Sequence, residues 1–476
     1  MKRYRIAATF SILFVTLTSG VFAQGINDAL RLAYPGLSPN ARALGMGNSY
    51  IALSDDASAM YFNPAGMGLI KRLELSGGID YSNFNNKTTF MGNNTTYSNS
   101  STKLDRISFA FPFPTMRGSL VFGMSYHATK DFNGALKFDG FNNSSTSLIQ
   151  DFLNTDIPFD LYLTDVNNNT PINGNLNQSG NSLSSGILNN WTFSGAMEVS
   201  PNLFVGANLN INTGSYTWNN EYYEDDTKNI YQGKTDPATA GTEDFRTFYL
   251  NRILNWDISG WDAKVGILYQ MKNNFRFGAT IQFPKSFTIK EKFDVAGKSE
   301  FGTGAVYYLD EAKYSDNVEY DITTPFELGA GLSYSLKGLV ASAEVTLVDY
   351  KQIKFSGAGN GLSSQYIEGI NKDVKDFLRA VVNYNAGLEY TIPNIGLRLR
   401  AGYFVQRSAY QDDPSEYDKK YITGGIGFLT DETIGIDLSY VHGWWNDFGD
   451  NYGSNVSRTF QEITLDNVMM TITYRF

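Results

Sequence analysis

Apolar and polar residues alternate along short stretches through most of this chain. The last nine residues show the pattern clearly, because apolar side chains fill one face of the stretch: Val468, Met470, Ile472, Tyr474 and Phe476. Successive side chains of a β-strand point to opposite faces, so this period of two predicts a strand with one apolar face. Such strands, about ten residues long, are typical of transmembrane β-barrels.

The same alternation recurs often enough to predict about fourteen strands. We expect them to begin near Leu73, Lys103, Gly118, Asn190, Leu203, Asn255, Phe275, Tyr320, Gly338, Ala380, Leu397, Tyr421, Thr433 and Leu465. The predicted connections alternate in length, and the long ones cover residues 83–102, 131–189, 219–254, 294–319, 355–377 and 445–464. Outer-membrane barrels have short periplasmic turns and long outer loops. The pattern therefore predicts an all-β fold, a transmembrane antiparallel β-barrel of about fourteen strands over residues 73–476.

Composition agrees with a barrel and excludes several other classes of protein. Of the 476 residues, 18% are charged and 14% are aromatic, and the mean hydropathy of −0.27 is too polar for a helical membrane protein. The chain has no cysteine, so it carries neither a disulfide framework nor a cysteine-based zinc site. Its net charge of −10 argues against a nucleic-acid partner. With two histidines and no catalytic motif, we expect no metal, no cofactor and no enzymatic activity.

The first residues have the pattern of a secretory leader. Lys2, Arg3 and Arg5 precede an apolar stretch over residues 6–15, and Val21 and Ala23 place small residues at the cleavage-determining positions. We therefore predict a signal peptide over residues 1–23, cleaved near Ala23. An uncleaved anchor helix is the alternative, and the polar second half of the segment argues against it.

Residues 24–72 do not alternate like a strand and are rich in small residues. About fifty residues are too few for a typical globular domain. Glycines permit close packing against a barrel wall, and the Asn63-Pro64 step favours an extended or turn conformation. We therefore expect this segment to fold into the lumen as a hatch.

The hatch segment also carries a family resemblance. Its motif residues resemble the N-terminal plug of the FadL/TodX family: Gly45, Gly47, Asp55, Asp56, Asn63, Pro64, Ala65 and Gly66. Stretches at 260–290, 387–390, 400–403 and 472–476 are similar to strands of that family. The resemblance implies a fourteen-stranded outer-membrane barrel that takes up long-chain fatty acids or hydrocarbons passively. It further implies that the ligand moves from an outer groove into a lumenal pocket, and leaves as the hatch and a kinked strand rearrange.

Two sets of residues are candidates for contact with such a ligand. Four inward-facing cations could bind a carboxylate: Lys264, Arg276, Arg398 and Arg400. The competing interpretation is that each pairs with a lumenal acid such as Glu389 or Asp437. An apolar stretch of the longest predicted loop could capture the ligand outside: Leu148, Phe152, Phe159 and Leu161. The competing interpretation there is packing of loop against loop.

These observations predict a monomeric channel of the bacterial outer membrane, with outer-membrane lipid around it and a hydrophobic small molecule as its ligand. One alternative comes from a different class of protein. Residues 37–43 (LSPNARA) resemble a segment of the PorV-like shuttle proteins of type IX secretion, which bind partner proteins. A transporter should contain an apolar pocket between hatch and wall, whereas a shuttle should present large ordered loops.

Overall fold

The computed structural model describes residues 25–357, 359, 361–393, 395–430, 433–452 and 456–476, so the predicted leader lies outside the described residues. Within them, nineteen strand segments form one sheet. The segments are β1 Glu74–Phe90, β2 Asn93–Phe113, β3 Leu120–Asp131, β4 Gly134–Asn142, β5 Leu176–Ser200, β6 Leu203–Asp225, β7 Phe245–Gln270, β8 Phe275–Gln282, β9 Ser286–Phe301, β10 Val306–Tyr308, β11 Asp316–Thr323, β12 Glu327–Leu336, β13 Leu339–Asp349, β14 Lys354–Ser356, β15 Ala380–Thr391, β16 Leu397–Gln406, β17 Lys419–Thr430, β18 Ile434–Asp450 and β19 Arg458–Arg475.

The segments occupy fourteen positions around a closed barrel. Three positions hold two segments each, because β3 and β4 both pair with β5, β8 and β9 both pair with β7, and β11 and β12 pair with β9 and β8. The three-residue segments β10 and β14 only add to β9 and β11. The first and last strands close the barrel through an antiparallel ladder from Glu74↔Arg475 to Thr89↔Phe460. The predicted fold class is confirmed.

The outer wall carries the apolar face that the alternation predicts. On β19, Val468, Ile472 and Tyr474 are exposed, whereas Met469 and Thr471 between them are buried. Because side chains alternate between the two faces, a slip of one residue would turn the apolar face of a strand inward. The exposure of the apolar residues therefore fixes the register.

Most strands are longer than a membrane requires, which corrects the predicted loops. Strand β7 has 26 residues, whereas about ten suffice to span the bilayer. On β6 the outward residues change from Leu209 and Ile211 to Thr213, Ser215 and Thr217, so its outer half projects beyond the apolar band. Residues 83–102 and 445–464 are therefore largely strand, and nearly half of residues 219–254 is strand. Polar residues occupy both faces of much of residues 83–102, whereas on β7 the apolar residues Phe248, Leu250 and Leu254 are buried on the inner face, the reverse of the predicted pattern.

The hatch lies inside the lumen and reaches toward its outer end, because Ala29 and Leu30 pack in one cluster with Trp256 and Tyr320. It contains α1 Ile26–Ala33, α2 Ala41–Gly45, α3 Ala59–Phe62 and a 3₁₀ turn at Pro64–Leu69, and it leads into β1 at Glu74. A small apolar core holds it together, formed by Ala43, Met46, Tyr50, Leu53 and Phe62. Further apolar clusters join the hatch to the wall, where Leu44 packs with Phe404 and Met60 packs with Val121.

Short helices cover the outer end of the lumen: α4 Leu148–Asp151, α5 Ile157–Asp160, α6 Glu311–Tyr314, a 3₁₀ turn at Tyr350–Gln352, and α7 Ser364–Phe377. They pack on a large cluster of buried aromatic and aliphatic side chains, here called the outer cluster, which includes Phe90, Phe138, Trp256, Phe287 and Tyr320. In the part of the chain that the structure describes, no helix is both long and apolar enough to cross a membrane.

Candidate functional site

Asn63 joins the hatch to the barrel wall. Its side-chain oxygen accepts from the backbone N–H of Ala65 at 3.1 Å and so caps the 3₁₀ turn that Pro64 begins. Its amide nitrogen donates to the carbonyl of Ile51 at 2.9 Å and to that of Ile267, on β7, at 3.0 Å. The Asn-Pro-Ala motif thus forms a cap whose spare donors bind both hatch and wall.

The hatch backbone approaches the wall so closely that glycine is required on both sides. Gly47 has φ +62°, and a Cβ there would lie 2.5 Å from the carbonyl oxygen of Ala386. A Cβ on Gly402 of β16 would collide with the backbone N of Gly47. Gly66 faces the carbonyl of Ser54 within the hatch. A Cβ added to Gly45 would lie 3.2 Å from the Cα of Gly425 in the wall. The hatch glycines of the motif therefore serve close backbone packing.

Arg42 of α2 ties the hatch to the wall by charge. Its Nε and Nη2 donate to the two carboxylate oxygens of Glu389, each at 3.0 Å. Its Nη1 donates to Asp55 at 2.7 Å, and Asp55 also accepts from Arg276 of β8 at 3.0 Å. Burial opposes the charge on Asp55, but Arg42 and Arg276 outweigh it and hold the pKa of that carboxyl well below its usual range. Asp55 is therefore an ionised link between a hatch arginine and a wall arginine.

Asp56, the second acid of the motif, organises the hatch internally. It accepts from the hydroxyl of Tyr50 at 2.7 Å and from the backbone N–H of Ser58 at 2.9 Å. Next to it, the backbone N–H of Ala57 donates at 2.8 Å to Glu74, the first residue of β1, which also binds Arg475 at 2.9 Å. The hatch thus contacts the seam between the first and last strands.

The four cations predicted to bind a carboxylate occupy different surroundings. Arg276 binds Asp55 and the carbonyl of Leu53, and Arg400 binds Glu389 at 2.7 Å and Asp437 at 2.7 Å. Arg398 borders a small cavity of about 20 Å³ beside Arg42. Lys264 lines the large cavity described next and donates to the carbonyl of Tyr61 at 2.6 Å. Pairing with lumenal acids, the competing interpretation, describes Arg276 and Arg400, and a role in ligand binding stays a prediction for all four.

A cavity of about 160 Å³ lies between the hatch and the wall. The hatch side is mainly apolar and includes Leu32, Ile51, Met60 and Phe62. The wall side is mainly polar and includes Asn190, Asn208, Asp262, Glu344 and Asn385. His127 also lines it, with its ring packed edge-on against Tyr61 at 5.5 Å between centroids. The cavity is therefore amphipathic, whereas an apolar pocket is the expectation from the sequence.

Two lysines of this cavity were missed by the sequence analysis. Lys130 donates to the backbone carbonyls of Arg31 and Tyr34, so it caps the last turn of α1 from the wall. Lys285 lies 3.4 Å from Glu327, where the wall strands break at residues 283–285 and 324–326. Lys130 falls in a stretch with weak alternation, but Pro284 just before Lys285 is a usable signal, because proline interrupts strand pairing.

The wall is split between β2 and β3 beside the cavity, next to the point where β3 ends and β4 begins. The backbone ladder from β2 to β3 ends at Arg106↔His127, and the pairing of β3 with β5 shifts register between Ala128 and Lys130. Beyond that point side chains bridge the two strands. Lys103 and Ser101 of β2 bind the carboxylate of Asp131 at 2.8 and 2.7 Å. Backbone pairing is therefore replaced by side-chain bridging along this part of the wall.

The predicted outer capture residues are mostly inside the protein. Leu148 and Leu161 are 1% and 0% exposed and belong to the outer cluster, and Phe152 is partly buried against it. Phe159 is 43% exposed. Packing of the loop thus accounts for Leu148 and Leu161, and ligand capture by this segment stays a prediction.

Glu224 fixes this outer segment from below. It lies in the projecting part of β6, is fully buried, and accepts from the backbone N–H of Leu148 at 2.8 Å, from Gln178 at 2.8 Å and from Tyr222 at 2.9 Å. Burial raises its pKa to about 7 despite these donors. A single carboxyl that titrates near neutrality therefore anchors α4.

Solved structures with this architecture include proteins of three bacteria. The toluene transporter TodX of Pseudomonas putida gives a TM-score of 0.56 at 14% identity, over 93% of this chain and 98% of its own. A FadL homologue of Pseudomonas aeruginosa gives 0.58 at 12% identity, over 93% and 100%. The toluene transporter TbuX of Ralstonia pickettii gives 0.50 at 18% identity, over 93% and 98%. No protein-family model and no curated protein matches the chain.

These matches extend over nearly the whole length of each partner, so they include the hatch, the wall and the outer segments together. The chain therefore shares the fold of the FadL homologue and of the toluene transporters TodX and TbuX.

Proposed function

We propose that this protein is a bacterial outer-membrane channel for the passive uptake of hydrophobic compounds. The observation that carries the proposal is the split between β2 and β3 beside the lumenal cavity. A barrel wall without backbone pairing can open by breaking side-chain bonds alone, such as those of Asp131. The hatch lies inside the lumen, so the split offers a route that leaves the hatch in place.

The similar structures support this function. They are toluene transporters, a monoaromatic hydrocarbon channel and a FadL homologue. They favour a channel over the alternative of a shuttle for secreted proteins, and over an enzyme. The proposed ligand is a hydrophobic small molecule, the proposed location is the outer membrane, and the proposed state is a monomer surrounded by outer-membrane lipid.

The test uses a reversible lock across the split, which the lack of native cysteine makes clean. Ser101→Cys with Asp131→Cys places two thiols on facing side chains, since Ser101 Oγ and Asp131 Oδ2 now lie 2.7 Å apart. The control pair, Ser76→Cys with Ser108→Cys, replaces hydroxyls 2.8 Å apart on the paired strands β1 and β2. Uptake of labelled laurate, labelled toluene and labelled 1-monolauroylglycerol is measured in cells whose own hydrophobic-compound channel has been removed.

We expect oxidation to stop uptake only in the Ser101/Asp131 pair, and reductant to restore it. Uptake that is unchanged by the oxidised lock would contradict the proposed route. Absence of uptake by the wild-type protein, together with specific binding of secreted proteins, would overturn the channel and favour the shuttle.

A further inference from the structure

We infer that the lumenal cavity binds an amphiphile with an uncharged, hydroxyl-bearing head group, such as a glycerol or a sugar ring. The inference rests on the proposed function and narrows its ligand class. It excludes pure hydrocarbons and ionised fatty acids as the preferred ligand. Three properties of the cavity carry it: its two unlike sides, its charge balance and its remaining hydrogen-bonding groups.

The two sides of the cavity match the two parts of an amphiphile. Hatch residues such as Leu32, Met60 and Phe62 offer apolar contact, whereas the opposite wall offers amides and charged groups. A pure hydrocarbon would have to displace water from that wall without replacing its hydrogen bonds, which costs free energy. A molecule with a polar head avoids this cost.

The lysines and the acidic side chains that line the cavity are equal in number. Three cations and three acids contribute: Lys130, Lys264, Lys285, Asp262, Glu327 and Glu344. The cations already have partners, because Lys130 and Lys264 bind hatch carbonyls and Lys285 faces Glu327. An ionised carboxylate would therefore add an uncompensated charge to a balanced site.

The acids are also satisfied. Asp262 accepts from Asn210, Asn212 and Gln282 at 2.5, 2.8 and 2.8 Å. Glu344 accepts from the backbone N–H groups of Tyr50 and Ile51, each at 2.9 Å. A cationic head group would have to displace these hydrogen-bond donors before it could pair with either carboxylate.

The polar groups that remain are uncharged. Asn190 and Asn48 line the cavity, are 7% and 9% exposed, and have side-chain oxygens without a hydrogen-bond partner. Thr280 and Thr346 add hydroxyls on the same wall. Amides and hydroxyls both donate and accept, as do the hydroxyls of a glycerol or sugar. Each water-sized position takes roughly 10–15 Å³, so the cavity has room for about a dozen such positions. This volume suits a glycerol or sugar head group.

The experiment compares three ligands that share a twelve-carbon chain at pH 8, where the carboxyl group of free lauric acid is ionised. The full-length protein in lipid nanodiscs is incubated with equimolar dodecane, lauric acid and 1-monolauroylglycerol, and the bound ligands are quantified by mass spectrometry. Empty nanodiscs give the background from lipid. We expect monolauroylglycerol to be enriched about tenfold over the other two, the factor that roughly one net hydrogen bond supplies.

Variants assign this preference to the cavity. Asn190→Leu should bring the three ligands close to parity, and Thr346→Val, which keeps the side-chain shape, should reduce the preference if Asn190→Leu does not fold. The control is Asn251→Leu, since Asn251 also has an unpartnered side-chain oxygen but lies outside the cavity lining. Asn251→Leu should retain the wild-type preference.

The outcomes separate this inference from the proposed function. Preferential binding of lauric acid, or equal binding of dodecane and monolauroylglycerol, would overturn the inference and leave the channel standing. Equal preference in wild type and in both cavity variants would overturn it as well. Binding of none of the three above the background would overturn both.

Discussion

Arg42 of the hatch and Glu389 of β15 form a bidentate ion pair, with two N–O distances of 3.0 Å. Both residues are buried, at 9% and 2% exposure, and each has a further charged partner, Asp55 and Arg400. The hatch is therefore held by charge at its centre as well as by close packing of backbone.

Arg42→Met should loosen the hatch strongly. Removing one partner of a buried ion pair leaves the other charge uncompensated and costs about 3–5 kcal/mol. We expect the unfolding midpoint in denaturant to fall and amide exchange in residues 41–62 to rise. Lys87→Met is the control, since Lys87 and Glu462 are exposed and pair at 3.1 Å, where about 0–1 kcal/mol is expected. Similar losses in the two variants would show that the Arg42 pair does not hold the hatch.

Lys130→Met should uncouple α1 from the split wall. Its amine caps the carbonyls at the end of α1, and its position on β3 adjoins the break. We expect faster amide exchange in residues 26–33 and altered uptake of hydrophobic compounds in the same cell assay. Lys137→Met, at an exposed position of β4, should change neither. Unchanged exchange in α1 would mean that other contacts position this helix.

Gly402→Ala should displace the hatch. The added Cβ would collide with the backbone of Gly47, and neither backbone can move without disturbing its own ladder or turn. Gly435→Ala is a matched control, because its Cβ would have no neighbour nearer than 3.7 Å. We expect only Gly402→Ala to lower the temperature at which the barrel unfolds in detergent. A stable Gly402→Ala protein would show that the hatch can shift away from β16.

Glu224 should make the outer segment pH-dependent. Its pKa is raised from 4.5 to about 7, so the folded state binds more protons than the unfolded state between these values. Its contribution to stability is therefore present in full below pH 4.5 and is lost as the pH rises through 7, by up to about 3 kcal/mol.

The measurement is amide exchange of residues 148–163 at pH 5 and pH 8, corrected for the intrinsic exchange rates. We expect the wild type to be better protected at pH 5, and Glu224→Gln to be equally protected at both values. A wild-type segment with the same protection at both would show that Glu224 does not titrate in this range.

The membrane-facing half of the fold was predictable from sequence because lipid imposes a simple rule. Each strand needs an apolar residue at every second position, so β19 and its neighbours could be located from the alternation of apolar and polar residues alone. The projecting halves of β6 and β7 follow a different rule, since polar residues face outward and aromatic residues such as Tyr216 and Trp256 face the outer cluster. Residues 219–254 were therefore interpreted as a loop, although much of this stretch is strand.

The site was predictable only in part. The hatch motif is contiguous in sequence, and its residues indeed pack together against the wall. The cavity brings together Lys130, Lys264 and Lys285 from three different strands or breaks, and parity of a strand identifies only Lys264. Whether an inward arginine meets an acid, as Arg400 does, depends on register between strands that the sequence does not specify.

The glycine contacts between hatch and wall have a consequence for engineering and for evolution. Gly387 and Gly402 lie on neighbouring wall strands, and both face the backbone at Met46 and Gly47. A methyl group is excluded on either side, so neither partner can drift without the other. A chimera that grafts this hatch into a related barrel would therefore need glycine at the matching positions of the recipient wall as well. The hatch and these wall strands are expected to be inherited as one unit.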